Sequence, residues 1–279
     1  MPSRDTDLER FDPLGPILFH DRFDRGLNGW IGLIGNYEDS LDKMLPVFRP
    51  MNQPMLSTAV SWDSGSHGAM SSAWAMKIAT RPIKGAMNLA LKRVAFRKRG
   101  PVQVEAWLTA KPEASDPTLS IEDLRSFGIF MDLQSQQHRG LPHIRFLNCL
   151  DGEVRHQWQY KERLASDHRV SNSARTRSLS HLAPTGWDDL PDGRQTVCYN
   201  ELPTKFNWQY LRLVVDTADM SIRAFQFNDR HFDVSSIGMM KMEPWANLDC
   251  MLNVGFFVET DSDKRAFLYV DSVLVSGVC

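Results

Sequence analysis

The sequence predicts an all-β protein built from antiparallel strands, and three observations predict it. Large apolar and polar residues alternate at every second position through most of the last third of the chain, from Phe206 to Val278. Asp, Asn and Gly turns separate those runs, as at Asp216-Thr217-Ala218-Asp219 and Asn228-Asp229-Arg230. In the middle of the chain Asp151-Gly152, a strong two-residue turn signal, joins two more strand-like runs. Period-two patterning between such turns puts one face of each strand on a core and gives the other to polar surroundings.

Composition bounds the rest. With 279 residues, 42% of them hydrophobic, one domain spanning 1–279 can bury its core without staples. A net charge of −2 supplies no field that would recruit nucleic acid or an anionic membrane. Cys149, Cys198, Cys250 and Cys279 lie far apart with no metal-type spacing, so neither a zinc site nor a disulfide framework is expected. The polar N-terminus has no signal-peptide run, and no window approaches the roughly 18 apolar residues of a membrane span. The expectation is a cytoplasmic protein that spans no membrane.

In chain order, residues 1–15 are polar, with breaks at Asp12-Pro13 and Gly15-Pro16, and read as a surface arm. Ile17 to Phe23 is a short strand; 36–68 is a turn-rich connection with a short helix near Ser40 to Met44. Ala73 to Ala79 is a strand, and Asn88 to Phe96 pairs with Val102 to Thr109 around a solvated basic turn, Arg97-Lys98-Arg99-Gly100-Pro101. Ser120 caps a single helical turn, and the almost wholly apolar Phe127 to Leu133 predicts a central strand covered on both faces. The hairpin from Leu141 to Tyr160 turns at Asp151-Gly152, which sets Leu147 opposite His156, Arg145 opposite Trp158 and His143 opposite Tyr160. That register gathers His143, Arg145, His156, Trp158 and Tyr160 on one face. From 161 to 205 periodicity disappears; a stretch this long inside a compact domain is functional or disordered, and its Trp187 predicts that part of it packs.

Asp21-x-Phe23 followed by a Gly/Asn turn and Trp30 resembles the opening strand of concanavalin A-like jelly rolls. Tyr269-Val270-Asp271-Ser272-Val273-Leu274-Val275 resembles their closing strand, and Trp208-x-x-Leu211-Arg212-Leu213-x-Val215-Asp216 their late hairpin. The resemblance implies a two-sheet antiparallel jelly-roll sandwich and, within that superfamily, an uncharacterised bacterial family. It also implies a small saccharide or glycoside on the concave face and a structural Ca²⁺ bridging the first and last strands through Asp21 and Asp271. No cofactor is required.

Sugars present flat C–H faces and rings of hydroxyls, which aromatic rings and Arg, Asn, Gln, Asp and His side chains complement. On that chemistry Arg145, Trp158, Glu105, Trp107, Asp132 and Gln134 are the expected substrate-binding residues, and His143, His156 and Tyr160 the proton-moving ones. The superfamily's Glu-x-Asp-x-x-Glu hydrolase run is missing; Glu259, Asp261 and Asp263 match it in composition only, within an apparent turn. The lyases' Arg-rich and Gln-x-His motifs are missing as well. The expectation is a carbohydrate-active hydrolase or lyase. The alternatives are a non-catalytic saccharide-binding module and a structural protein whose aromatics form an oligomer contact.

Overall fold

The computed structural model describes residues 7–32, 53–58, 70, 73–114, 119–163, 180–202, 205–246 and 248–277. Its first eight strands are β1 (Ile17–Asp21), β2 (Met55–Thr58), β3 (Trp74–Ala79), β4 (Met87–Ala95), β5 (Pro101–Pro112), β6 (Leu124–Gln134), β7 (Arg139–Leu141) and β8 (His143–Leu150). The others are β9 (Glu153–Tyr160), β10 (Asp188–Arg194), β11 (Gln209–Asp216), β12 (Ser221–Phe227), β13 (Arg230–Phe232), β14 (Met240–Met242), β15 (Met251–Thr260) and β16 (Ala266–Gly277).

They form two antiparallel sheets packed as an all-β jelly-roll sandwich. One sheet runs β13-β12-β11-β5-β16-β3-β2, with β1 also on β16. The other runs β10-β9-β8-β6-β15-β4, with β7 also on β6 and β14 on β7. First and last strands pair, Asp21 opposite Val273. The predicted strands form, but β4 and β5 do not pair across the basic turn. Instead β4 pairs with β15 in the second sheet and β5 with β11 and β16 in the first, so that turn is a crossover between the sheets. The Ser120 hydroxyl accepts from the Glu122 amide as the expected cap. Short strands β7, β13 and β14 lack the length to show a period, and β2 lies within the stretch expected to be a turn-rich connection; none of the four was anticipated. Part of 161–205 is regular, since β10 pairs with β9. The helix expected at Ser40–Met44 lies outside the described residues.

The core lies between the sheets, where Val104, Ala106, Leu108, Leu211, Leu213 and Val273 of the first sheet meet Phe127, Ile129, Ile144, Phe146, Val254 and Phe256 of the second. Trp158 is in its middle and wholly buried, its ring centroid 4.7 Å from each of Phe225 and Phe227 and 5.2 Å from Phe146. Its Nε1–H donates to Gln195 Oε1 at 2.8 Å, so the ring's polar edge is satisfied.

This corrects the hairpin register. Asp151 and Gly152 form the predicted turn with φ of 53° and 81°, and Leu150 faces Glu153 as expected. Between Leu147 and Cys149, however, the register shifts by one. β9 carries an extra residue there, with His156 in the left-handed region at φ 51°. Beyond this bulge Leu147 faces Gln157, Arg145 faces Gln159 and Phe146 faces Trp158. Because side chains alternate across a strand, the one-residue shift turns His156, Trp158 and Tyr160 toward the inter-sheet side. His156 stacks on Phe146 at 6.0 Å, and Tyr160 packs against the core. None of the three joins His143 and Arg145.

Replacing Trp158 by Ala should therefore destabilise the fold by about 3–5 kcal/mol, with Phe at that position recovering part of the loss. Urea unfolding of both variants measures it. A loss under 1 kcal/mol would contradict the placement.

Candidate functional site

The outer face of the second sheet carries the polar residues that the bulge regroups. Reading across the strands, Asp189, Gln159, Arg145, Gly128 and Phe257 lie opposite one another in a row. In the next row Phe130 lies opposite His143, whose carbonyl accepts from the Lys161 amide. Arg145 holds the face together. Its Nε–H donates to Gln159 Oε1 at 2.9 Å, and its Nη1–H reaches over β6 to Glu259 Oε2 on β15, also at 2.9 Å. Gly128 makes that crossing feasible: a Cβ there would lie 2.3 Å from the Ile144 carbonyl oxygen and 2.8 Å from Phe257 Cζ. The Ser126 hydroxyl also donates to Glu259 Oε2, and Gln159 passes its amide on to Asp189 Oδ1 at 2.8 Å.

Next to this pair is a nitrogen cluster. His143 Nδ1 is 3.0 Å from the Leu141 carbonyl, so that nitrogen carries the proton and Nε2 is an acceptor. His181 Nδ1–H is 3.1 Å from His143 Nε2 and donates to it, leaving its own Nε2 with no hydrogen bond among the described residues. Both imidazoles are buried and neutral. Burial, aided by the charge of Lys161, lowers His143 to about 3. Burial, then His143, lowers His181 well below its ordinary value. Lys161 itself is 1% exposed. Its Nζ donates to the backbone carbonyls of Ala183 at 2.5 Å and His181 at 3.3 Å. Burial, then the Arg145 charge, brings it down to about 7, with Glu259 opposing.

Trp187 is the half-buried outer member of the group. Its ring centroid is 4.3 Å from Arg145 Cζ, 4.6 Å from Lys161 Nζ and 6.0 Å from the Phe257 ring. Its Nε1–H is shielded from solvent and has no hydrogen-bond partner among the described residues. An amine whose pKa is lowered to about 7, two neutral imidazoles, an ion-paired guanidinium and an indole therefore share one site.

The sequence placed His143 and Arg145 here, but not Lys161, His181, Gln159 or Trp187, and it assigned Glu259 to a turn. Glu259 in fact lies within β15, opposite Ser126. Asp132 shares the outer face farther along and is held by Arg139 through two bonds of 2.8 and 2.9 Å. Gln134 donates to the Trp245 and Leu248 carbonyls, supporting a loop.

Glu105 and Trp107 are on the other sheet. Fully buried Glu105 accepts from Tyr210 Oη at 2.6 Å, Asp12 N at 2.7 Å and Gln103 Nε2 at 2.8 Å, anchoring the N-terminal arm. Trp107 packs on Tyr210 at 5.3 Å. That face also buries Lys77 and Lys111 against Phe267 and Phe206, and burial lowers them to about 8 and about 7.

Asp21 does not fit a Ca²⁺ ligand. Its carboxylate accepts from Trp30 Nε1 at 2.8 Å, Asn28 Nδ2 at 2.9 Å and Lys92 Nζ at 2.6 Å, so an ammonium sits where the ion would. Asp271 Oδ2 accepts from the Met70 amide. Among the described residues no group of three His, Cys, Asp or Glu side chains could hold a metal ion. No helix among them is long and apolar enough to cross a membrane.

Fold and site together define a jelly-roll sandwich with a buried, amine-centred polar cluster on one outer face. The chain belongs to the family described as "Domain of unknown function (DUF6772)", which matches residues 1–278. No curated protein matches it. Among solved structures it is similar to one described with endo-acting O-glycanases of the human gut microbiota, at 11% identity, 94% and 99% coverage of this chain and that one, and a TM-score of 0.46. A carbohydrate esterase from the Shiga toxin-encoding bacteriophage phi24B gives 10%, 93%, 97% and 0.45. Lectin II from Ulex europaeus gives 9%, 84%, 95% and 0.39. These are likenesses of outline.

Two outcomes test the site's construction. Lys161 is lowered from its ordinary value of 10.5 to about 7, so between those limits the unfolded chain binds the extra proton. Stability should then rise with pH from about 7 to about 10. Lys77 and Lys111, lowered in the same direction, add to that rise. Lys161→Met should make the slope shallower without abolishing it, read as the urea midpoint against pH; an unchanged slope would refute the assignment. Gly128→Ala should cost about 1–3 kcal/mol by overpacking, measured by thermal unfolding.

Proposed function

We propose that this face binds an acidic saccharide, a uronate, and that Lys161 serves as the base of a β-elimination. The observation that carries the reading is the state of the Lys161 amine. With a pKa of about 7, a large share of it is neutral at physiological pH. A neutral amine has two N–H bonds, which match the Ala183 and His181 carbonyls. Its lone pair is then left to accept a proton.

Arg145 Nη2, which makes no hydrogen bond among the described residues, and the unpartnered Trp187 Nε1–H are donors for a carboxylate beside that amine. Such contacts stabilise the charge that develops when the carbon next to the carboxylate loses its proton. In the proposed step Lys161 takes that proton. The C–H pair becomes a C=C bond, the glycosidic C–O bond breaks with its electrons going to oxygen, and the leaving oxygen takes a proton from water. The Trp187 ring offers the sugar an apolar face. The saccharide class itself rests on the resemblance to jelly rolls that handle sugars, and fold alone does not fix function.

A second reading, a uronate-binding module without chemistry, is favoured by the two carbonyls that tether Lys161, since they also pin residues 181–183 to the sheet. Titrating glucuronate and galacturonate oligosaccharides while following tryptophan fluorescence and the ultraviolet absorbance of an unsaturated product separates the two. Elimination predicts product, with kcat/KM rising through a midpoint near 7 as Lys161 loses its proton. Lys161→Met should abolish turnover while leaving binding within a few-fold, and Trp187→Leu should weaken binding. Binding without product selects the second reading. Binding of neutral sugars as tightly as uronates would overturn the proposed carboxylate contacts.

A further inference from the structure

A cleft of about 660 Å³ opens between the β11–β12 turn, the segment leading into β14, and residues 162–163. Its size is that of a small-molecule site. Met220, Ile237, Met239 and Met240, all buried, supply apolar lining. Three of these four are methionines, whose unbranched, polarizable side chains adapt to an apolar guest.

Its charged lining divides into groups that are engaged and groups that are not. Asp219 is bound by Arg223 and accepts from the Ser221 hydroxyl, and Arg163 lies 3.6 Å from Asp188. Glu162 and Lys241 have neither an ion pair nor a side-chain hydrogen bond among the described residues. The Glu162 carboxylate lies over Gly238, its Oε1 2.5 Å from where a Cβ on that residue would be, which places it at the cleft wall.

We propose that this cleft binds a small zwitterion with an apolar body, the chemistry of an apolar amino acid. Its ammonium is received by Glu162, its carboxylate by Lys241, and its side chain by Met220, Met239 and Met240. Opposite unpaired charges beside an apolar lining fit a molecule that carries both charges better than a purely cationic, anionic or neutral one.

The test uses the full chain with ¹³C-labelled methionine methyls and the probes L-phenylalanine, phenethylamine and 3-phenylpropionate. L-phenylalanine should shift the Met220, Met239 and Met240 signals at lower concentration than either analogue. Glu162→Gln should weaken L-phenylalanine and phenethylamine roughly tenfold and leave 3-phenylpropionate unchanged; Lys241→Gln should do the converse. Both side chains are exposed, so the variants retain the fold. No shift with L-phenylalanine at millimolar concentration overturns the proposal. So does binding of all three probes that neither variant alters. Since the readout is methionine methyls, the result does not depend on whether the Trp187 face binds uronate.

Discussion

The second sheet depends on one ion pair laid across it. Arg145 on β8 reaches Glu259 on β15 over β6, so the contact ties together three strands that the backbone ladder joins only pairwise. Both side chains are almost completely buried, which makes the arrangement costly to interrupt. A buried charge that loses its partner typically costs about 3–5 kcal/mol. Gln159, Ser126 and Asp189 satisfy further hydrogen-bonding capacity, so the pair is supported as a network. Everything else on this face is arranged around it: Trp187 lies on the guanidinium, and Lys161 is held as a near-neutral amine partly by the guanidinium's charge.

The same neighbourhood explains why two histidines can be adjacent without repulsion. Each would be a cation in water at low pH, but here they form a chain from the Leu141 carbonyl through His143 to His181, with every proton assigned by the acceptor beneath it. Burial makes the charged forms unfavourable, and Lys161 adds to that for His143. Exclusion of water thus holds the two imidazoles neutral, with no carboxylate hydrogen-bonded to either among the described residues.

Much of the fold was legible because its signal is repeated. Alternation from Trp208 to Val215 and from Ser221 to Phe227, and the dense apolar run from Phe127 to Leu133, specify strands whatever their partners are. The site was less legible because it depends on a register difference of one residue. His143 and Arg145 share one face of β8, as alternation along the strand requires. Trp158 and Tyr160 were assigned to it by counting from a turn that forms as predicted, and the extra residue, His156, comes only four positions after Gly152. A signal for the correct answer was nonetheless present: beyond the bulge, Ile144, Phe146, Trp158 and Tyr160 are apolar, while His143, Arg145, Gln157, Gln159 and the following Lys161 are polar. Segregating the faces by polarity demands an offset that simple counting does not allow. Trp187 and His181 had no periodic context, and Glu105, identified by its chemistry, serves instead to hold the N-terminal arm.

The left-handed residue at His156 acts like a frameshift within a strand. Upstream of it β9 is read in one phase, and downstream in the other, so a single backbone insertion decides which half of the following residues belongs to the interior and which to the surface cluster. A family member that lost the extra residue would keep every amino acid from Gln157 to Lys161 and yet display the complementary set. Comparing members of this family by residue identity alone would miss that exchange; the number of residues between the Asp151-Gly152 turn and the tryptophan is the quantity that records it.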